Sequence, residues 1–88
     1  MRHESHPDVI ARLKQAHGQI GGILTMLAEG RSCADLAQQL QAVESVIHSA
    51  KRSLIQDHLE HCIADAVHGG GLTADEALRE FKAMSKYL

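Results

Sequence analysis

His58 and Cys62 stand four residues apart in a stretch, Cys33 to Val67, that contains neither glycine nor proline. On a helix that spacing places an imidazole and a thiolate on one face at successive turns. Together they form half of a soft transition-metal site. Cys33 is the other cysteine and lies 25 residues before His58, which is about 38 Å along a straight helix. It cannot reach the same metal within one chain. If two such helices run antiparallel, the start of one lies beside the end of the other. Cys33 of one chain then meets His58 and Cys62 of a second chain, and the reverse contact makes a second site. A thiolate nucleophile, Cys62 beside His58 or His61, is the enzymatic alternative. A helical chain of 88 residues offers neither an evident substrate cavity nor an oxyanion hole, so the chain is read as a non-enzyme.

The chain carries seven histidines, and they do not all belong to that site. His61 neighbours the pair and reads as a residue supporting the ligands from behind. His3 and His6 sit at the N-terminal end, where a short segment can fold over a bound ion as an extra clamp. His17, His48 and His68 read as ordinary helix-surface residues.

Three helices are expected to position these groups, over about residues 7–29, 33–67 and 74–87, in a single domain spanning 1–88. Ser5 or His6 can cap the first, with Pro7 in its first turn and Gly30 as its stop. Val9, Ile10, Leu13, Ala16, Ile20, Ile23, Leu24 and Leu27 recur there at helical spacing. Gly18, Gly21 and Gly22 interrupt that run. Gly18 is read as a flat spot where another helix comes close. Ser32 opens the second helix, with Asp35 three residues on. Leu36, Leu40, Val43, Ile47, Ala50 and Leu54 alternate spacings of four and three, a coiled-coil-like seam. Gly69-Gly70-Gly71 breaks the chain, and Thr73 with Glu76 opens the third helix, whose Ala77, Leu78, Phe81 and Met84 are expected to face inward.

The second helix makes a rod of roughly 50 Å, the first is roughly 34 Å and the third about 20 Å. The two shorter helices cannot cover every apolar position of the rod. The fold class is therefore all-α, and the simplest closure is an antiparallel dimer forming a four-helix bundle.

Composition narrows the functions. Phe81 and Tyr87 are the only aromatic residues, too few for stacking single-stranded nucleic acid. No apolar run approaches the ~18 residues of a membrane span, so no membrane partner is expected. The start, Met1-Arg2-His3-Glu4-Ser5-His6, is too polar for a secretory signal, which makes the cytoplasm the expected compartment. In a reducing compartment two cysteines favour metal-binding or reactive thiols over a disulfide. A net charge of −2 supplies no global attraction to DNA, so any DNA contact must come from a local basic patch.

The runs Ser32-Cys33-Ala34-Asp35-Leu36-Ala37-Gln38-Gln39-Leu40-Gln41-Ala42-Val43 and Leu54-Ile55-Gln56-Asp57-His58-Leu59-Glu60-His61-Cys62 resemble the CsoR/RcnR family of bacterial metal-sensing repressors. The likeness extends over Arg12 to Gln19 and the last helix, nearly the whole chain. It implies a helical dimer that pairs into a homotetramer, binds double-stranded operator DNA when metal-free, and lets go when the effector binds. Cys33, His58 and Cys62 match the three ligands of the family's copper sensors, which suit Cu(I). The nickel branch adds an N-terminal histidine, a part His3 or His6 can fill, and Ni(II) or Co(II) prefers that larger mixed donor set. Copper sensors often carry Tyr before the first Cys, where this chain has Ser32. The formaldehyde branch needs proline at the second position, where Arg2 stands. A persulfide or sulfide sensor of the same family uses the two thiols but usually lacks the histidine.

By the same resemblance Arg12 and Arg52 fall where DNA contacts are made, with Lys14 and Lys51 beside them, and Glu44 replaces a common arginine. With no helix-turn-helix signature, binding rests on phosphates and groove shape. A rival reading keeps the Cys/His cluster as a permanent metal staple in a helical interaction protein, in which metal removal unfolds the chain rather than switching it.

Overall fold

The computed structural model describes residues 5–88. It contains three α-helices: α1 (His6–Ala28), α2 (Cys33–Val67) and α3 (Ala74–Ser85). Among the described residues there is no strand. Helix α2 runs for 35 residues without interruption, as the absence of glycine and proline permits.

The helix ends follow from single residues. Helix α1 stops where Gly30 adopts φ +72°. Arg31 N then donates to Met26 O at 3.0 Å and Gly30 N to Leu27 O at 3.2 Å, the paired bonds of a left-handed helix stop. Helix α2 ends the same way, with Gly69 at φ +71° and Gly70 N donating to Asp65 O at 2.7 Å. At the start of α2, Ser32 Oγ accepts from Asp35 N at 3.1 Å. At the start of α3, Thr73 Oγ1 accepts from Glu76 N at 3.1 Å and donates to the Glu76 carboxylate. Thr73→Ala is expected to lower stability by about 1 kcal/mol, measured by denaturant unfolding, with helix α3 fraying first in amide exchange.

Expectation and structure part at three places in these elements. Helix α3 ends at Ser85 rather than 87, because Tyr87 N and Leu88 N bond back only three residues, to Met84 O and Ser85 O. The Ser5 hydroxyl does not turn to α1; it donates to Asp57 Oδ2 at 2.8 Å. Gly18 marks no close approach inside the chain, since a Cβ placed there, or on Gly21 or Gly22, meets nothing within 4 Å.

The chain divides into two compact units. In the unit Pro7–Ala50, Ala16 and Ile23 of α1 and Val43 of α2 are buried, with Leu36 and Val46 packed against them. Each fully buried Ile or Val stabilises by roughly 1.5–3 kcal/mol. The seam is only half covered: Val43 and Ala50 are buried, while Leu40 and Ile47 remain 51% and 43% exposed. Ile10, Leu13, Ile20, Leu24 and Leu27 of α1 are likewise exposed.

The second unit comprises Lys51–Leu88 with Ser5 and His6. Its buried residues are Ile55, Leu59 and Cys62, all on α2. The inward assignment of α3 is not met: no residue of that helix is buried, and Leu78 and Phe81 are exposed. With Ile63, Ala66, Val67, Ala74 and Ala77 they line an open apolar groove of ≈ 400 Å³. Helical periodicity identified which face is apolar, and one short chain has too little surface to cover it.

Candidate metal centre

Cys62 is buried, 3% exposed, on the face of α2 that also carries His58. Its Sγ lies 3.6 Å from His58 Nε2. The one-face placement follows from the unbroken helix, because residues four apart stack on successive turns. His58 Nε2 is held at 2.6 Å by Glu80 Oε1 of α3. Glu80 holds the same ring nitrogen that faces Cys62, so it orients His58 in the usual way of a carboxylate behind a metal-ligating histidine when the metal is taken by Nδ1. Glu80 was not singled out in the sequence. It is 22 residues from His58, beyond the glycine turn, and no local spacing connects the two.

Burial pushes the Cys62 thiol up from its ordinary range, and the carboxylates of Glu80 and Asp65 push it further. A metal needs the thiolate, so binding must expel the Cys62 proton. Apparent metal affinity is therefore expected to rise with pH, by about tenfold per pH unit for this one proton while the thiol stays protonated. Titrations at several pH values check this, and Cys62→Ser should lower the slope by about one unit.

The donor chemistry of His58 and Cys62, one imidazole and one buried thiol, fits a borderline-soft transition ion. It is a two-donor arrangement. Among the described residues no group of three or more His, Cys, Asp or Glu side chains is placed to hold a metal. Cys33 is exposed at the first position of α2, in the other compact unit. Both cysteines are free thiols.

His61 stands one residue before Cys62 and turns elsewhere. Its Nδ1 lies 2.8 Å from Asp57 O and 3.1 Å from Asp57 Oδ1. Ser5 reaches the same carboxylate, donating to Asp57 Oδ2 from its backbone N at 3.2 Å and from Oγ at 2.8 Å. His6 is exposed at the first position of α1, and His3 lies outside the described residues. His17, His48 and His68 are all exposed.

Of the basic residues singled out, Arg12 pairs with Asp8 at 2.9 Å on the surface of α1. Lys14 on α1, and Lys51 and Arg52 on α2, are exposed. Exposed cations on helix surfaces suit phosphate contacts, which need no groove-inserting motif. No described helix is long and apolar enough to cross a membrane.

Comparison with known proteins bears on this arrangement. The family model of the metal-sensitive transcriptional repressors matches residues 5–86. The copper-sensing transcriptional repressor RicR of Mycobacterium tuberculosis is 40% identical over 72 residues, covering 82% of this chain and 75% of the relative. The copper-sensing transcriptional repressor CsoR of Bacillus subtilis is 36% identical over 77 residues, covering 85% and 76%. Among solved structures, the nickel-responsive transcriptional regulator InrS superposes with a TM-score of 0.85 at 29% identity, over 99% of this chain and 96% of that one.

Proposed function

The chain belongs to the CsoR/RcnR family of metal-sensitive transcriptional repressors, and from that premise we propose how it senses. Its effector is a transition metal, Cu(I) or Ni(II)/Co(II). Cys33 of one chain joins His58 and Cys62 of a second chain to hold it. The metal-free assembly binds operator DNA through Arg12, Lys14, Lys51 and Arg52, and the metal-bound one releases it in the cytoplasm. Like the rest of its family it is a repressor and not an enzyme.

One observation carries the intersubunit site. His58 and Cys62 are paired on α2, and Cys33 stands 25 residues before His58 on the same unbroken helix. Within one chain the length of that helix keeps Cys33 away from the pair, so it joins His58 and Cys62 from a second chain. The exposed Leu13, Ile20, Leu24, Leu27, Leu40 and Ile47 support the same assembly, because a second chain buries them. A homodimer that pairs again into a tetramer satisfies both requirements.

His58 and Cys62 present the donors, and Glu80 holds the His58 ring in place. When Cys62 gives up its proton to bind metal, the two turns of α2 that carry the pair become cross-linked to Cys33 of the other chain. Operator and metal then compete by linkage: each weakens the other by the same factor.

Copper-sensing relatives and the nickel-responsive structure both resemble this chain, so the metal is decided by donor count. Three donors suit Cu(I), and recruitment of His3 or His6 suits Ni(II). Anaerobic titration with Cu(I) and with Ni(II), followed by operator binding in fluorescence anisotropy, tests both levels. Either metal is expected to weaken operator binding by roughly 5- to 150-fold. Unchanged operator affinity with a saturated site would sink the sensor mechanism. Loss of Ni(II) binding in a His3→Ala/His6→Ala chain assigns nickel, and indifference to that change assigns copper.

A further inference from the structure

Helix α2 carries two side-chain pairs of identical spacing on the same two turns. His58 and Cys62 form the metal pair, 3.6 Å apart. Asp57 and His61 form a second pair, 3.1 Å apart, displaced by one residue and so rotated about 100° around the helix axis. The second pair has a different occupation. Asp57 Oδ1 faces His61 Nδ1, and Oδ2 accepts two bonds from Ser5, 52 residues away in sequence. The Asp57 side chain is only 13% exposed, so these charge-assisted bonds are partly shielded from water and correspondingly strong. Ser5 immediately precedes α1, the helix that carries Arg12 and Lys14.

The geometry points to Asp57 as a positioning residue that transmits metal occupancy to the start of α1: its carboxylate clasps Ser5 on the turns whose spacing and twist the metal pair sets. This rests on the repressor reading above. A helix turn is nearly rigid, so a change in its twist that satisfies a ligand at His58 and Cys62 also moves Asp57 and His61. The Ser5 bonds, at 2.8 and 3.2 Å, lose strength steeply with small displacements. Two arrangements of the clasp, one for each metal state, give the coupling a discrete element that both the site and the first helix bias.

Asp57→Asn removes the anionic acceptor at nearly constant shape, and Ser5→Ala removes the hydroxyl donor from the other side. Neither residue is a proposed ligand or a DNA contact. In both variants the metal stoichiometry and the metal-free operator affinity should stay within about twofold of wild type. The ratio of operator affinities without and with metal should fall by about fivefold or more. The double variant should fall no further than Asp57→Asn alone, because Ser5→Ala removes one of the two bonds that this carboxylate accepts from Ser5.

A second readout is independent of DNA. Hydrogen exchange of the Ser5 amide in wild type should change by about threefold or more on metal addition. It should be fast and indifferent to metal in Asp57→Asn. Full coupling in both variants, or a loss of coupling accompanied by loss of metal or operator binding, would overturn the assignment. If wild-type operator binding ignores metal, the sensor mechanism fails. The clasp is then judged on Ser5 exchange alone: a metal-induced change upholds it and a constant rate overturns it.

Discussion

A Cys62→Ala chain is expected to keep its operator affinity and lose its metal response. The thiol is buried and contributes one of two donors that the chain brings to one face. Structural metal sites with four protein ligands bind with about 10–16 kcal/mol, so one ligand is worth roughly 10²–10³-fold in affinity. Alanine is close to cysteine in size, so the buried position tolerates it with little collapse. His58→Ala should behave alike. Glu80→Gln should give a weaker version, about 10–100-fold, because it loosens the imidazole without removing a donor. Anisotropy with labelled operator, with and without metal under anaerobic conditions, reads all three. A Cys62→Ala protein that still releases DNA on metal addition would show that the pair is not the sensing site.

Mixing chains gives the second large effect. A dimer of one Cys33→Ala and one Cys62→Ala chain has an intact Cys33 opposite an intact His58 and Cys62 at one end, and neither cysteine at the other. Half of the wild-type metal stoichiometry is therefore expected in the heterodimer, and no more than weak binding in either homodimer. A site confined to one chain predicts none in the mixture, since each chain lacks one of its own ligands. Separately tagged, co-expressed chains purified in sequence and titrated by absorption distinguish the two outcomes.

What could be read from the sequence was local. His58 and Cys62 were legible because four residues on an unbroken helix fix their mutual direction. Ser32 and Thr73 were legible because a cap acts on the next three residues. Gly30 announced its helix stop for the same reason. Glu80 was not legible: its approach to His58 depends on how α3 returns after the glycine turn. Nor was the Ser5–Asp57 contact, which spans 52 residues. There a good local rule lost, since the serine expected to cap a helix serves a carboxylate elsewhere. Leu78 and Phe81 show a third limit. Periodicity places them on one face, but their exposure depends on surface that a single chain does not possess.

The unequal surroundings of the two thiols have a practical consequence. Cys33 is exposed, whereas Cys62 is buried and its thiol is pushed up from the ordinary range by that burial. Alkylating reagents attack the accessible thiolate, so a brief pulse of maleimide marks Cys33 and spares Cys62. The fraction of chain that escapes the pulse then counts the Cys33 side chains shielded by another molecule. Two masses in a spectrometer thus separate solitary from associated chains, without any tag, dye or engineered reporter.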